Sequence, residues 1–232
     1  MVGTLSREDQ NNYFVDLGRC SGILPKDQII PGEKLVMGSS VKVYVSKLEI
    51  GPKGPFIMLS RSHYGFVKRL LEIEIPELAD GTIMLYSVAR DAGSRTKIAV
   101  YTEYTNVDPL GAVIGEKGRR IANVLKELNG EKIDVILYDE DPVKFITNAL
   151  SPAKDVKVTI KNSAKKEALA VANDANLSLA IGRKGQNVKL ASRLTHYKIE
   201  VKSEAALAEQ PMTLEEPVVE ASEVTENIQT EE

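Results

Sequence analysis

Ile114-Gly115-Glu116-Lys117-Gly118 and Ile181-Gly182-Arg183-Lys184-Gly185 are one loop written twice, 67 positions apart. The flanking text repeats too. Leu110, Val113 and Ile114 precede the first copy at i, i+3 and i+4, and Leu177, Ala180 and Ile181 precede the second at the same spacing. Each loop is therefore expected to follow a short helix with one apolar face. After the first copy, Ile121, Val124, Leu125 and Leu128 form an apolar stripe, with Arg119, Arg120, Asn123 and Lys126 outside it. After the second, Val188, Leu190, Ala191 and Leu194 are expected to turn inward, with Gln186, Asn187, Lys189 and Arg193 facing out. Strands with nearly the same text follow, Lys132-Ile133-Asp134-Val135 and Lys198-Ile199-Glu200-Val201.

Upstream of each loop lie two further strand-like runs joined by a turn. The first pair is Thr82 to Arg90 and Lys97 to Thr102, hinged at Asp91-Ala92-Gly93-Ser94. The second is Val156 to Lys161 and Glu167 to Val171, hinged near Asn162-Ser163. Asp108-Pro109 and Asp141-Pro142 mark helix starts, a carboxylate cap followed by proline at the first helical position. Both units thus read helix, strand, strand, helix, loop, helix, strand, which is the signature of a tandem duplication.

A Gly-x-x-Gly turn between two helices is how KH domains clamp about four nucleotides of single-stranded RNA. Glycines let the backbone approach phosphate without a Cβ in the way. The helix that follows offers N–H groups and its positive dipole end to the same anion. The expected RNA-binding residues are Gly115, Lys117, Gly118, Arg119 and Arg120 in the first unit. In the second they are Gly182, Arg183, Lys184, Gly185, Gln186, Asn187 and Lys189. Glu116 puts a negative charge on the first path, so the second loop is expected to grip more strongly, with Lys117, Arg119 and Arg120 compensating in the first.

The first sixty residues form a different module, rich in β-branched residues, glycine and turns. Tyr13-Phe14-Val15-Asp16-Leu17 and Val41-Lys42-Val43-Tyr44-Val45 alternate, and Phe56 to Ser60 follows the turn Gly51-Pro52-Lys53-Gly54-Pro55. Four or five short strands with glycine corners suggest a small closed barrel of the OB type. Phe14, on the face opposite Val15, could stack a base or fill a gap beneath a loop. His63 to Ile73 reads as a helix with Phe66, Val67, Leu70 and Leu71 on one side, bridging barrel and first KH unit.

Composition bounds the rest. The formal net charge of −3 hides a split: residues 203–232 hold nine glutamates and no lysine or arginine. Residues 1–202 keep 24 acidic against 30 basic side chains, a balance of +6. The basic part suits a phosphate-binding surface. The acidic part reads as a disordered tail, either a solvated linker or a mimic of RNA. One cysteine, Cys20, argues against disulfides and zinc clusters, and His63 and His196 have no ligand or triad spacing. Asp139-Glu140-Asp141 is better read as helix capping than as a metal site. No Walker loop, dinucleotide fingerprint or nucleophile elbow is present. No catalytic residues, metal or cofactor are expected. With no apolar run long enough to span a bilayer and no signal peptide, the expectation is a cytoplasmic protein without a membrane partner.

The sequence also resembles the RNA-binding half of the bacterial NusA family. The likeness is carried by Gly22-Ile23-Leu24-Pro25, Ile30-Pro31-Gly32-Glu33, Leu59-Ser60-Arg61-Ser62 and Val88-Ala89-Arg90, with Gly93 through Val100 in the hairpin. Further on it rests on Val107 through Gly111, Asn129 through Asp134, Asn148 through Ala153, and Leu177 through Thr195. The resemblance spans about residues 1 to 203. It implies an α+β multidomain chain: an OB-type barrel over 1–62, type-two KH domains over 63–140 and 141–202, and an acidic disordered tail over 203–232. It also implies a factor that binds nascent RNA and modulates pausing, termination and antitermination, with RNA polymerase and other antitermination factors as partners. On this resemblance, the family's polymerase-contacting N-terminal domain is expected to be missing from this sequence. Where the barrel family places two aromatics and a histidine on its RNA face, Phe14 fills one position and Asn11 and Pro25 stand at the others. An RNA-anchoring part of a degrading nuclease is the alternative, opposed by the doubled KH unit and the module order. Short connections imply one rigid rod with extended RNA along both loops.

Overall fold

The computed structural model describes residues 1–51 and 54–208. Strands β1 (Val2–Glu8), β2 (Asn12–Asp16) and β3 (Ser21–Pro25) form an antiparallel meander. Strand β4 (Ser40–Lys42) pairs with β1, the chain bends at Val43, and it continues as β5 (Tyr44–Gly51). Strand β6 (Gly54–Ser60) pairs antiparallel with β5 and parallel with β3. Since β4 and β5 are one run broken at Val43, the order β4-β1-β2-β3-β6-β5 closes on itself. This is the small closed barrel expected, with Leu5, Val15, Leu24, Val41, Val43 and Leu59 inside it. Pro52 and Lys53 of the expected glycine-rich turn lie outside the described residues.

The first KH unit runs α1 (Tyr64–Glu74), α2 (Pro76–Ala79), β7 (Met84–Asp91), β8 (Arg95–Tyr101), α3 (Pro109–Ile114), α4 (Arg119–Lys126) and β9 (Lys132–Leu137). The second runs α5 (Pro142–Ala149), β10 (Lys157–Asn162), β11 (Glu167–Ala172), α6 (Asp174–Ile181), α7 (Gln186–Thr195) and β12 (Lys198–Ser203). In both sheets the middle strand pairs antiparallel with the first and parallel with the last. The textual repeat is a repeat of topology. Residues 204–208, expected as part of the tail, form a short helix, α8 (Glu204–Ala208); the remainder of that tail lies outside the described residues.

Helix α1 buries Phe66, Val67, Leu70 and Leu71, as its spacing requires. Ile30, from the barrel, is buried in the same core as these residues, Val124 and Leu128. Barrel and first KH unit are thus sealed by shared apolar burial. Two buried guanidiniums reinforce the seal. Arg61 pairs with Glu33 and donates to the carbonyls of Lys42 and, at 3.1 Å, Glu127. Arg90 lies 2.9 Å from Glu131 and donates to the carbonyls of Arg61 (2.7 Å) and His63 (2.8 Å). Glu131 also accepts from the Gly93 N–H at 3.0 Å and from the Thr96 hydroxyl. Burying such charges is tolerable because nearly every donor and acceptor is matched.

The two KH units share a core as well. Ala89, Ala99 and Ile136 of the first sheet pack with Phe145, Ile146, Leu150, Leu190 and Leu194 of the second unit. Small side chains on the sheet let α5 and α7 approach it closely. Lys97, fully buried, sends its ammonium across this joint to the Ser151 carbonyl (2.7 Å) while pairing with Asp134 at 3.0 Å. Burial lowers the Lys97 pKa, and Asp134 works against that shift.

Two outcomes follow. Arg90→Met strands the Glu131 carboxylate in a dry site and should cost about 3–5 kcal/mol of stability by denaturant unfolding. A loss below about 1 kcal/mol would show the pair is dispensable. The second concerns His63, whose Nδ1 caps α1 by accepting from the Gly65 N–H at 3.0 Å. Burial, and then the charge of Arg90, hold its imidazole below the ordinary value. The folded state takes up this proton later than the unfolded chain. His63 therefore adds stability above about pH 6.5 that is lost as pH falls through its lowered value. Unfolding midpoints should drop on acidification through this window and drop less in His63→Asn, which keeps a capping side chain. Equal pH profiles would contradict this.

Candidate nucleic-acid interface

The two loops have the same backbone. Gly115 sits at φ 75°, ψ 172°, Lys117 at 51°, 26° and Gly118 at 75°, 14°. Gly182 sits at 73°, 171°, Lys184 at 54°, 27° and Gly185 at 73°, 17°. Each loop thus passes three times through positive φ, once at a lysine, a conformation that costs roughly 1 kcal/mol for a residue with a Cβ. The glycines serve different ends. A Cβ on Gly115 would come within 2.7 Å of Arg120 Cγ, and one on Gly182 within 2.7 Å of Asn187 Cβ. The first glycine of each loop is therefore required by the helix that follows it. A Cβ on Gly118 would meet nothing within 4 Å, and one on Gly185 only Lys189 Cε at 3.7 Å. The second glycine faces open space.

Arg120 and Asn187 occupy equivalent positions, five residues after the first glycine, and both turn inward. Arg120 Nη1 donates to the Ala112 carbonyl at 2.8 Å and pairs with Glu77 at 2.9 Å. Asn187 is 3% exposed, and its Nδ2 donates to the carbonyls of Leu179 (3.0 Å), Ala180 (3.1 Å) and Leu150 (2.9 Å). Ala112 and Leu179 are themselves equivalent positions. One side chain per unit therefore ties the helix after the loop to the helix before it, clamping the turn. Asn187 is therefore buried where it was expected to face outward, whereas Arg120 is tied inward through one nitrogen while its side chain stays 34% exposed. Gln186 is corrected in part: it is half-buried, and its Nε2 donates to Asp91 and, at 2.7 Å, to Ser94 of the first unit's hairpin turn.

Four helices carry side-chain caps: α1 from His63, α3 from Asp108, α5 from Asp141 and α6 from Asn173. Asp141 is thus accounted for by capping. Helices α4 and α7, which follow the loops, have no side-chain cap among the described residues. The N–H groups of their first residues, Arg119 and Gln186, donate back to the Glu116 and Arg183 carbonyls of the loop, so the turn itself closes each helix start. Lys117 and Arg119 beside the first loop, and Arg183, Lys184 and Lys189 beside the second, are exposed and form no ion pair with any described residue. Glu116 offsets charge in the first loop and Arg120 is neutralised by Glu77, so the excess of positive charge falls on the second.

Phe14 is half-buried, and the Arg7 guanidinium covers one face of its ring at 4.0 Å. A base could use only the other face. Ile114, expected to pack inward, is 42% exposed, as is Leu179 at 46%. Asp91 and Ser94, which meet the second loop, were not legible as site residues, because a hairpin turn carries no mark of what lies across from it.

Two helix-flanked Gly-x-x-Gly loops on duplicated three-stranded units define a tandem KH protein. Residues 61–138 match the NusA-like first KH domain family and residues 142–209 the NusA-like second KH domain family. The chain is 47% identical to the transcription termination/antitermination protein NusA of Halalkalibacterium halodurans over 90% of its own length and 54% of the relative's. For the NusA of Bacillus subtilis the values are 45%, 93% and 59%, and for that of Thermus thermophilus 42%, 100% and 60%. The chain belongs to the NusA family, and it spans somewhat more than half the length of these relatives.

Replacing Arg183 and Lys184 together by Asp should weaken RNA binding more than the same replacement at Glu116 and Lys117, where one positive charge is reversed instead of two. The slope of log affinity against log salt should also become shallower, by about 0.7 for each phosphate no longer neutralised. Unchanged affinity and slope in the second-loop variant would exclude that loop from the RNA interface.

Proposed function

We propose that the protein binds single-stranded RNA along both Gly-x-x-Gly loops. It would act as the RNA-holding part of a NusA-type factor that modulates pausing, termination and antitermination by RNA polymerase. One observation carries this reading: two loops of matching dihedral angles, each clamped from within, each followed by an uncapped helix and flanked by exposed cations. Such a loop offers N–H groups and lysine or arginine to successive phosphates. A duplex is poorly suited to it, since stacked and paired bases cannot splay beside the loop.

In this reading Gly115, Lys117, Gly118 and Arg119 form the first RNA-binding set. Gly182, Arg183, Lys184, Gly185 and Lys189 form the second, while Arg120 and Asn187 hold the loops in shape. The units over 1–62, 63–140 and 141–202 act together. RNA polymerase and other antitermination factors are the further partners, with polymerase engaged through family segments outside this chain. The curated relatives are named as termination/antitermination proteins, which supports a binding role over a catalytic one. Titration with short unstructured RNAs and with a duplex of the same sequence tests the reading. Single strands should bind at least about tenfold more tightly. Equal affinity for both, or none for either, would contradict it.

A further inference from the structure

The hydrogen bonding between Gln186 and the first unit's hairpin turn does more than close a joint. A cleft of about 380 Å³ opens there, lined by Asp91, Ser94, Arg183, Lys184, Gln186 and Lys189. One wall is cationic: Arg183, Lys184 and Lys189 have no hydrogen-bond or ion-pair partner among the described residues. The first unit's hairpin turn contributes Asp91 and Ser94 to the same cleft. Gln186 Nε2 donates to Asp91 Oδ2 and to Ser94 Oγ, the latter at 2.7 Å. Asp91 Oδ1 and Gln186 Oε1 are left without partners among the described residues.

A cleft for phosphate alone would not set a carboxylate against the path, because it repels the anion. A cleft that takes a whole nucleotide needs cations for the phosphate and a hydrogen-bonding edge for the base. A carboxylate recognises two adjacent N–H donors, since its oxygens lie side by side and each can accept more than one hydrogen bond. Guanine presents that pair, N1–H beside the 2-amino group. Adenine and cytosine set an acceptor nitrogen beside their amino group, and uracil flanks its N–H with two carbonyls. We propose that this cleft reads a guanosine of the bound strand. Asp91 accepts from N1–H and the 2-amino group, the amide of Gln186 holds Asp91 in place, and Lys184 and Lys189 hold the adjoining phosphate. The inference rests on the RNA-binding reading above. Asp91 and Gln186 belong to different KH units, so the site exists only where the two are joined.

The test uses unstructured RNAs of about twelve nucleotides, long enough for both loops. A single guanosine is moved along the strand and replaced at each position by inosine, which lacks the 2-amino group. At one position the wild-type chain should lose about tenfold or more in affinity on that replacement, the worth of one hydrogen bond to a charged group. Asp91→Asn should lose this discrimination while binding guanosine-free RNA as tightly as the wild type, or more tightly, because a negative charge has left the phosphate path. The new amide oxygen still accepts from Gln186, and an unchanged melting temperature verifies the joint. If inosine is tolerated everywhere, or if Asp91→Asn weakens all RNAs alike, the guanosine site is wrong while RNA binding stands. If no single strand binds at all, both readings fall.

Discussion

Everything proposed for the interface depends on a backbone reversal through positive φ that two short helices could not hold by themselves. In each unit the reversal is held by a side chain five residues beyond the first glycine, reaching back to a carbonyl of the preceding helix. The chemistry differs. Arg120 needs a carboxylate, Glu77, to offset its charge. Asn187 is neutral and is buried outright. The geometry is nevertheless the same to within a few degrees at every equivalent glycine and lysine. The duplicated element is therefore a rigid turn with its cations already held beside it, which reduces the ordering cost of gripping a flexible strand.

The same economy governs the joints. Shared apolar cores bind barrel to first KH unit and first KH unit to second, and buried ions cross both boundaries. Arg90 stands where three elements meet, holding the carbonyls that lead into α1 and the carboxylate that pins the hairpin turn. That turn presents Asp91 and Ser94 to the second loop. The position of the second Gly-x-x-Gly loop is therefore referred, through a few hydrogen bonds, to the packing of the barrel.

Much of this was legible in the sequence because it follows from local periodicity. The tandem repeat, the stripe Phe66-Val67-Leu70-Leu71, and the caps Asp108 and Asp141 are all properties of short windows. What escaped lies beyond a window. A helical wheel puts Arg120 and Asn187 on the polar side of their helices and cannot show that this side faces the preceding helix. Lys97 is legible only as the start of a strand, yet a second unit packs over it and supplies a carbonyl. Gln186 and Asp91 stand 95 positions apart, and nothing in either neighbourhood names the other. Phe14 was legible as an aromatic on the outer face, but not the guanidinium lying over it.

The central claim is that one strand is gripped by two rigid loops at once. It is tested most directly by affinity as a function of RNA length, with and without Gly182→Val in the second loop. That substitution would press a side chain into Asn187 and spoil one turn only. The account predicts a sharp rise in affinity once the strand is long enough to span both loops, and its disappearance in the variant, which should still bind the shortest strands through the first loop. A smooth length dependence, identical in the two proteins, would contradict it.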